Sequence, residues 1–242
     1  SPSWVGGHHA TSEEEIEREM TAAGYRRVGR RGRARALAAA FAAMALALLV
    51  AGPACTALKR RAYAPADRDA WQQPARVVEA LALAPGDRVA DLGAGGGYFT
   101  FRLADAVGPG GRVLAVDVDD GMLSALARDA GERGVAQVEV VHAAPDDARL
   151  APASVDLVFT SNTYHHLQDR VAYFERLAAA LAPGGRVAIV EFRESPSWVG
   201  GHHATSEEEI EREMTAAGYR RVARHDFLER QSFLVFERDG ER

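Results

Sequence analysis

The segment that decides the fold runs Val89-Ala-Asp-Leu-Gly-Ala-Gly-Gly-Gly-Tyr-Phe-Thr100. Its apolar start predicts a short buried strand at 88–92, its glycines predict a loop, and the residues from Tyr98 onward predict a helix. Glycines at such a turn let backbone N–H groups approach a ligand without a Cβ in the way. The segment therefore indicates a binding site for a nucleotide-type cofactor.

Two cofactor motifs compete for this segment. The dinucleotide motif G-x-G-x-x-G needs a third glycine where Tyr98 stands. The pattern Asp-x-Gly-x-Gly-x-Gly is filled completely, by Asp91, Gly93, Gly95 and Gly97. On these residues the chain resembles the class I S-adenosylmethionine-dependent methyltransferases, whose first motif carries an acid before the first glycine. The resemblance implies S-adenosylmethionine as the cofactor, held by the loop residues Asp91, Gly93, Ala94, Gly95, Gly97 and Tyr98.

Strand and helix patterns alternate after the loop. The predicted strands are 88–92, 112–116, 138–142, 155–160 and 187–192, and the predicted helices are 76–83, 98–107, 122–133 and 171–181. This alternation predicts a parallel, doubly wound sheet. A helix at 206–217 and strands at 219–226 and 231–237 resemble the end of the methyltransferase sheet. We therefore expect an α/β, Rossmann-like, mostly parallel seven-stranded sheet with a C-terminal antiparallel hairpin, in a domain spanning 63–242.

Two acidic positions follow the predicted strands. Asp117 ends the second strand, where an acid accepts both ribose hydroxyls of a bound nucleoside. An acid there also suits NAD, so Asp117 alone does not distinguish the cofactors. We place Val118 beside it in the cofactor site. The resemblance assigns an acid after the third strand to the adenine amino group; Asp146 is our choice and Asp147 the alternative, with a solvated turn as the other interpretation.

The segment after the fourth strand reads Asn162-Thr-Tyr-His-His166. It lies at the carboxyl edge of the sheet, where ligands bind in such folds. We assign Asn162 to the cofactor site, and Tyr164, His165 and His166 to the substrate side as catalytic candidates. A histidine with a pKa near 6.5 suits the deprotonation of a hydroxyl acceptor, whereas a thiolate or amine needs no base. Packing or surface histidines are the alternative.

Two further observations on this segment concern a metal site and the class of methyltransferase. Adjacent residues of a regular element point in different directions, so we expect no paired metal site. Together with Trp71, Gln72 and Pro74 ahead of the first strand, the Asn-Thr-Tyr-His-His motif resembles a group of bacterial small-domain methyltransferases. The motif lacks the Asn/Asp-Pro-Pro-Tyr signature of enzymes that methylate nucleic-acid amines and glutamine amides.

The composition limits the partners. The 242 residues carry a net charge of −5, which leaves no large basic surface for nucleic acid. The single cysteine, Cys55, excludes an intramolecular disulfide and a cysteine-based metal site. We therefore expect a small-molecule substrate and no nucleic-acid partner, with an oligomeric state that the sequence leaves open.

The chain contains one perfect repeat: Ser1–Val28 is identical to Ser195–Val222. Natural structural repeats diverge and recur at short regular periods. We therefore interpret 1–28 as a sequence artefact, a recent duplication or a peripheral segment. The second copy continues into a strand pattern and is taken as the native one. The first copy is expected to form an exposed amphipathic helix at 12–23, or to compete weakly for the site of the second.

Residues 29–62 predict a targeting or membrane segment. A basic flank precedes 36–58, which contains no charged residue. This pattern is typical of a secretory signal or a membrane anchor. The Gly52-Pro-Ala-Cys55 sequence resembles a lipoprotein processing site, although Gly52 departs from the usual leucine. We expect a membrane-associated or exported protein; an alanine-rich helix packed on the domain, and a cytoplasmic location, are the alternatives.

These observations predict an enzyme that transfers a methyl group from S-adenosylmethionine by in-line displacement to a small-molecule acceptor. Two other functions remain open from the sequence. One is an NAD(P)-linked oxidoreductase, against which the missing third glycine and Asp91 both count. The other is a catalytically silent nucleoside-binding or interaction module, because methyl transfer requires few dedicated residues.

Overall fold

The structure, a computed structural model, describes residues 13–24, 67–195 and 204–240. Within these ranges seven strands form one sheet: β1 (Arg88–Leu92), β2 (Arg112–Asp117), β3 (Val138–His142), β4 (Val155–Ser161), β5 (Leu181–Phe192), β6 (Tyr219–His225) and β7 (Gln231–Arg238). The order is β3-β2-β1-β4-β5-β7-β6. The first five strands run parallel, while β7 is antiparallel to both β5 and β6. The expected sheet with a closing antiparallel hairpin is confirmed.

The described ranges contain seven α-helices: α1 (Glu13–Ala22), α2 (Arg68–Gln72), α3 (Pro74–Ala80), α4 (Thr100–Val107), α5 (Asp120–Arg133), α6 (Arg170–Leu177) and α7 (Glu207–Ala216). Local chemistry sets several of their starts. The Asp119 side chain accepts backbone N–H groups at the first turn of α5, and Ser206 does the same for α7. Pro74 occupies the first turn of α3, where a missing N–H costs nothing.

The two faces of the sheet bury separate apolar clusters. Alternate strand residues pack on α3 and α4 through side chains such as Val77 and Leu103. The other face packs on α6 and α7 through side chains such as Phe174 and Ile210. This three-layer arrangement leaves the carboxyl ends of β1, β2, β4 and β5 aligned along one edge.

The largest difference from the predicted boundaries lies between α6 and β5. The sequence predicted a helix at 171–181 and a strand from 187, but α6 ends at Leu177 and β5 begins at Leu181. Leu181 is buried and pairs with Val155, and the register then shifts so that Leu157 pairs with Arg186. Pairing with β4 therefore recruits Leu181 into the sheet, and Pro183, which lacks an N–H, falls within the irregular stretch.

The helix α1 forms in the first copy of the repeat, and its described side chains are exposed. Ile16 and Met20 keep 47% and 51% of their surface exposed. Their counterparts in the second copy, Ile210 and Met214, are both 0% exposed. Identical sequences thus occupy opposite environments.

No helix in the described ranges is long and apolar enough to cross a bilayer. The apolar segment 36–58 and Cys55 lie outside the described residues, as do the proposed boundaries at 28 and 62.

Candidate functional site

The glycine loop follows β1 at the carboxyl edge of the sheet. Gly93, Gly95 and Gly97 all have positive φ angles, of 78°, 52° and 83°, a region that glycine adopts without strain. A Cβ on Gly93 would overlap the hydroxyl of Thr163, whereas a Cβ on Gly95 would come no closer than 4.0 Å to its nearest neighbour. Packing therefore requires glycine at position 93, whereas the Cβ position of Gly95 borders open space.

Asp117 lies directly beside this loop, as predicted. Its Oδ2 accepts a hydrogen bond from the Gly95 N–H at 2.8 Å, and its Oδ1 accepts from the Asp119 N–H at 2.9 Å. Each carboxylate oxygen has two lone pairs, so Asp117 retains capacity for further donors. The next residue, Val118, leaves 55% of its surface exposed. An acceptor and an uncovered apolar side chain therefore adjoin the glycine loop.

Asp91, at the end of β1, is almost completely buried beneath the loop. The Thr100 hydroxyl donates to its Oδ2 at 2.6 Å. Burial raises the pKa of Asp91 to about 6, and the nearby Asp117 adds to this, while the Thr100 hydrogen bond and Arg68 oppose it. The ionised form of Asp91 is therefore poorly solvated, and a further positive charge nearby would favour it.

The acids after β3 lie on an exposed turn. The Asp147 carboxylate accepts the Arg149 N–H at 2.8 Å, and the backbone carbonyl of Asp146 accepts from Arg176. The sequence analysis overlooked His142, at the end of β3. Its ring nitrogens lie 3.1 Å from Asp120 Oδ1 and 3.3 Å from the Val118 carbonyl. His142 therefore joins this turn to the segment that follows Asp117.

Asn162 and Tyr164 are both engaged within the protein. The Asn162 Oδ1 accepts from Gln231 Nε2 at 2.7 Å, which ties the end of β4 to β7. Tyr164 is 0% exposed, and its hydroxyl donates to Glu213 at 2.8 Å. Burial, followed by that hydrogen bond, raises the pKa of Tyr164, so the phenol stays protonated. The structure gives Tyr164 a packing position beneath α7, and we no longer place it among the catalytic candidates.

His165 and His166 differ in exposure, although their ring centroids lie only 4.1 Å apart. His166 is exposed, whereas the His165 ring is buried with its Nδ1 3.0 Å from Oε1 of Glu191. Glu191 also accepts the Phe192 N–H at 2.8 Å. The sequence analysis overlooked Glu191; the signal was a single acid inside the apolar strand Val187–Phe192.

The Trp71-Gln72 pair positions α2 over the same edge of the sheet. Gln72 is fully buried, and its Nε2 donates to the Ser161 hydroxyl at the end of β4 at 2.8 Å. The Trp71 ring lies 5.5 Å from that of Phe192, at the end of β5. An open cleft lies on the outer side, lined by Asp67, Ala70, Trp71, Gln73, Glu229 and Arg230. The segment ahead of β1 therefore forms one wall of the site.

The part of the chain that the structure describes has no cluster of three or more histidine, cysteine or acidic side chains that could hold a metal ion.

The chain is similar to known methyltransferases. Residues 89–185 match a family model described as a methyltransferase domain. The chain is 33% identical over 114 residues to nocamycin O-methyltransferase of Saccharothrix syringae, covering 47% of this chain and 41% of the relative. It is 39% identical over 115 residues to a demethylmenaquinone methyltransferase of Mycobacterium sp. (strain KMS), covering 47% and 45%. The chain thus spans less than half the length of these relatives.

The fold also matches a solved structure, a SAM-dependent methyltransferase from Aquifex aeolicus. The TM-score is 0.69 at 23% identity, over 75% of this chain and 97% of that one. At this identity the likeness concerns the fold.

Proposed function

We propose that the chain is a class I S-adenosylmethionine-dependent methyltransferase, which transfers a methyl group from S-adenosylmethionine to a small-molecule acceptor; the match of residues 89–185 to a methyltransferase domain supports this. The observation that carries the proposal is the hydrogen bond between Asp117 and the Gly95 N–H. It joins the acid of β2 to the glycine loop of β1, next to the exposed Val118. The family match sets aside the NAD(P)-linked alternative.

We assign residues at this edge to the parts of the cofactor. Asp117 would accept the ribose hydroxyls, and Val118 would pack against the adenine ring. The open space at Gly95 allows close approach to the loop backbone. Asp91 would face the positively charged ammonium, which relieves the cost of its burial. Asp146 remains a proposed partner for the adenine amino group.

The cofactor supplies a methyl group that is already activated on a sulfonium sulfur. The residues of the chain therefore bind and align the acceptor and exclude water. If the acceptor is a hydroxyl, we assign its proton to Nε2 of His165, with Glu191 holding Nδ1–H. A thiolate or amine acceptor would need only alignment.

The small-molecule class of the acceptor rests on the relatives. Their names specify a natural-product O-methyltransferase, a demethylmenaquinone methyltransferase and a phosphoethanolamine N-methyltransferase. These acceptors differ in size, charge and methylated atom. We accordingly propose a small molecule as the methyl acceptor and do not specify the methylated atom.

Calorimetry on the full chain tests the proposal. We expect S-adenosylhomocysteine to bind with a dissociation constant in the micromolar range, about −8 kcal/mol, and NAD to bind at least an order of magnitude more weakly. Binding of NAD with the higher affinity would contradict the proposed function.

The proposed membrane association rests on the uncharged segment 36–58. The full chain should float with lipid vesicles, and a variant lacking 36–58 should remain in the soluble fraction. Equal behaviour of the two proteins would contradict the association.

A further inference from the structure

We propose that Arg68 binds the carboxylate at the amino-acid end of the cofactor, so that Arg68 and Asp91 together recognise the zwitterion. This inference rests on the proposed function, because it concerns the same cofactor. It adds a residue from α2, outside the glycine motif, to the binding site.

The first argument is position. The guanidinium carbon of Arg68 lies 3.7 Å from the centre of the Tyr98 ring, which immediately follows the glycine loop. The Arg68 Nε donates to Gln72 Oε1 at 2.6 Å, and Gln72 in turn bonds to Ser161 at the end of β4. Arg68 is therefore fixed between the glycine loop and the carboxyl end of β4, at the edge where the cofactor site lies.

The second argument is charge. Arg68 and Asp91 interact electrostatically, and both lie in a poorly solvated environment. Burial lowers the pKa of Arg68 to about 10, with Tyr98 and Asp91 opposing this, so the group remains cationic at neutral pH. Interactions between charges are stronger in such an environment than in bulk water, so a ligand that carries both charges would be bound more tightly there. A bound α-amino acid group brings an ammonium for Asp91 and a carboxylate for Arg68.

The third argument is shape. A guanidinium presents five N–H donors in a planar fork that matches the two oxygens of a carboxylate. Contact with the Tyr98 ring and the hydrogen bond to Gln72 restrict the motion of the Arg68 guanidinium, which reduces the entropy lost when a carboxylate binds. The α2 helix thereby gains a role in binding as well as in packing.

Arg102 provides a matched control. It also contacts the Tyr98 ring, at 4.4 Å, and it pairs with Asp69 at 3.1 Å. Its side chain is 36% exposed, so its charge is largely solvated. An Arg102→Gln variant therefore removes the same charge from the same aromatic ring without removing the buried cation.

The test uses calorimetry on the full chain with two probes. One is S-adenosylhomocysteine, and the other is S-adenosyl-3-thiopropylamine, which is the same thioether without the carboxylate. The wild-type protein should prefer S-adenosylhomocysteine by about 10- to 100-fold, the range for a charge-assisted hydrogen bond. In Arg68→Gln the preference should fall to about threefold or less, and in Arg102→Gln it should persist.

Each outcome decides the inference. If the role of Arg68 is purely structural, Arg68→Gln should bind both probes more weakly by the same factor. Such an unchanged preference would overturn the proposal. If Arg68→Gln does not fold, the comparison uses Arg68→Lys and the wild-type protein. An intermediate preference for S-adenosylhomocysteine in Arg68→Lys would support the proposal. A wild-type protein that binds both probes equally would overturn it. Failure of the wild-type protein to bind S-adenosylhomocysteine at all would instead overturn the proposed function.

Discussion

Nδ1 of His165 lies 3.0 Å from Oε1 of Glu191, in a pair whose side chains are 5% and 0% exposed. Glu191 also accepts the backbone N–H groups of His165 and Phe192, at 3.3 Å and 2.8 Å. An ionised carboxylate only accepts hydrogen bonds, so this geometry favours the imidazole tautomer that carries its proton on Nδ1 and its lone pair on Nε2. The pair thus orients His165 and selects one tautomer.

Replacing Glu191 with glutamine should abolish this selection, because an amide both donates and accepts. Two-bond ¹H–¹⁵N correlation spectra of the wild-type protein should show His165 protonated at Nδ1, and Glu191→Gln should show a shifted or mixed tautomer. The His166→Gln variant identifies the neighbouring ring signals. An unchanged Nδ1–H tautomer in Glu191→Gln would show that the carboxylate does not set it.

Substitution of His165 separates the two kinds of acceptor. With a hydroxyl acceptor, loss of a general base in His165→Ala should lower single-turnover methyl transfer by about 10²- to 10⁴-fold, with the affinity for S-adenosylhomocysteine unchanged. Because His166 is exposed, His166→Ala should have a much smaller effect. Loss of cofactor binding in step with activity in both variants would remove the base assignment.

Asp117→Ala should weaken S-adenosylhomocysteine binding by about 1.5–3 kcal/mol, the range for hydrogen bonds to a charged group. Because Asp117 also accepts the Gly95 N–H, part of this loss would come from the loop itself. Asp117→Asn keeps one oxygen for Gly95 and isolates that part. Asp119→Ala is the matched control: it should cost about 1 kcal/mol of stability as a lost helix cap and leave the affinity unchanged. Native affinity in Asp117→Ala would contradict the ribose assignment.

Asp91 predicts a pH dependence of stability. Its folded pKa of about 6 lies above the unfolded value of 3.8, so the folded state binds the proton more tightly. Its contribution to the free energy of unfolding is therefore fully present below about pH 4 and is lost as the pH rises through 6. Asp91→Asn, which resembles the protonated acid, should stabilise the ligand-free protein at pH 7.5 by on the order of 1–3 kcal/mol.

The same variant should show little stabilisation at pH 4, where wild-type Asp91 is protonated. Thermal unfolding of both proteins at the two pH values measures the difference. S-adenosylhomocysteine should bind the variant more weakly, since the ammonium loses its anionic partner. A gain in stability of equal size at both pH values would show that ionisation of Asp91 is not its cause.

The repeat permits the same substitution in two identical sequences. Met214→Ala should destabilise the protein by about 2–5 kcal/mol, because it opens a cavity in the core, whereas Met20→Ala should change stability by less than about 0.5 kcal/mol. Chemical denaturation measures both. Equal effects would show that the first copy also packs on a core.

Much of the fold and part of the site were predictable because their signals are local. Strand and glycine patterns located β1 to β4 to within one residue, and the motif that begins at Asp91 indicated the cofactor loop. Asp117 was predictable because the carboxyl ends of adjacent parallel strands meet at one edge. Glu191 was overlooked because its partner, His165, lies 26 residues away in sequence.

The repeat shows which features of the structure depend on the local sequence alone. The same ten residues form a helix twice, as Glu13–Ala22 and as Glu207–Ala216, because helix propensity and periodicity are properties of the segment alone. Only the tertiary structure decided which copy is buried. In α7, the side chains of Ile210 and Met214 are buried in the core. The Glu213 carboxylate forms a salt bridge with Arg170 and accepts a hydrogen bond from the Tyr164 hydroxyl. These partners come from the segment after β4 and from α6, and burial depends on surfaces that only the folded chain assembles. Packing in the folded chain also buries Tyr164 completely and brings the His165 ring against Glu191. The identities of these two adjacent residues do not determine these positions by themselves.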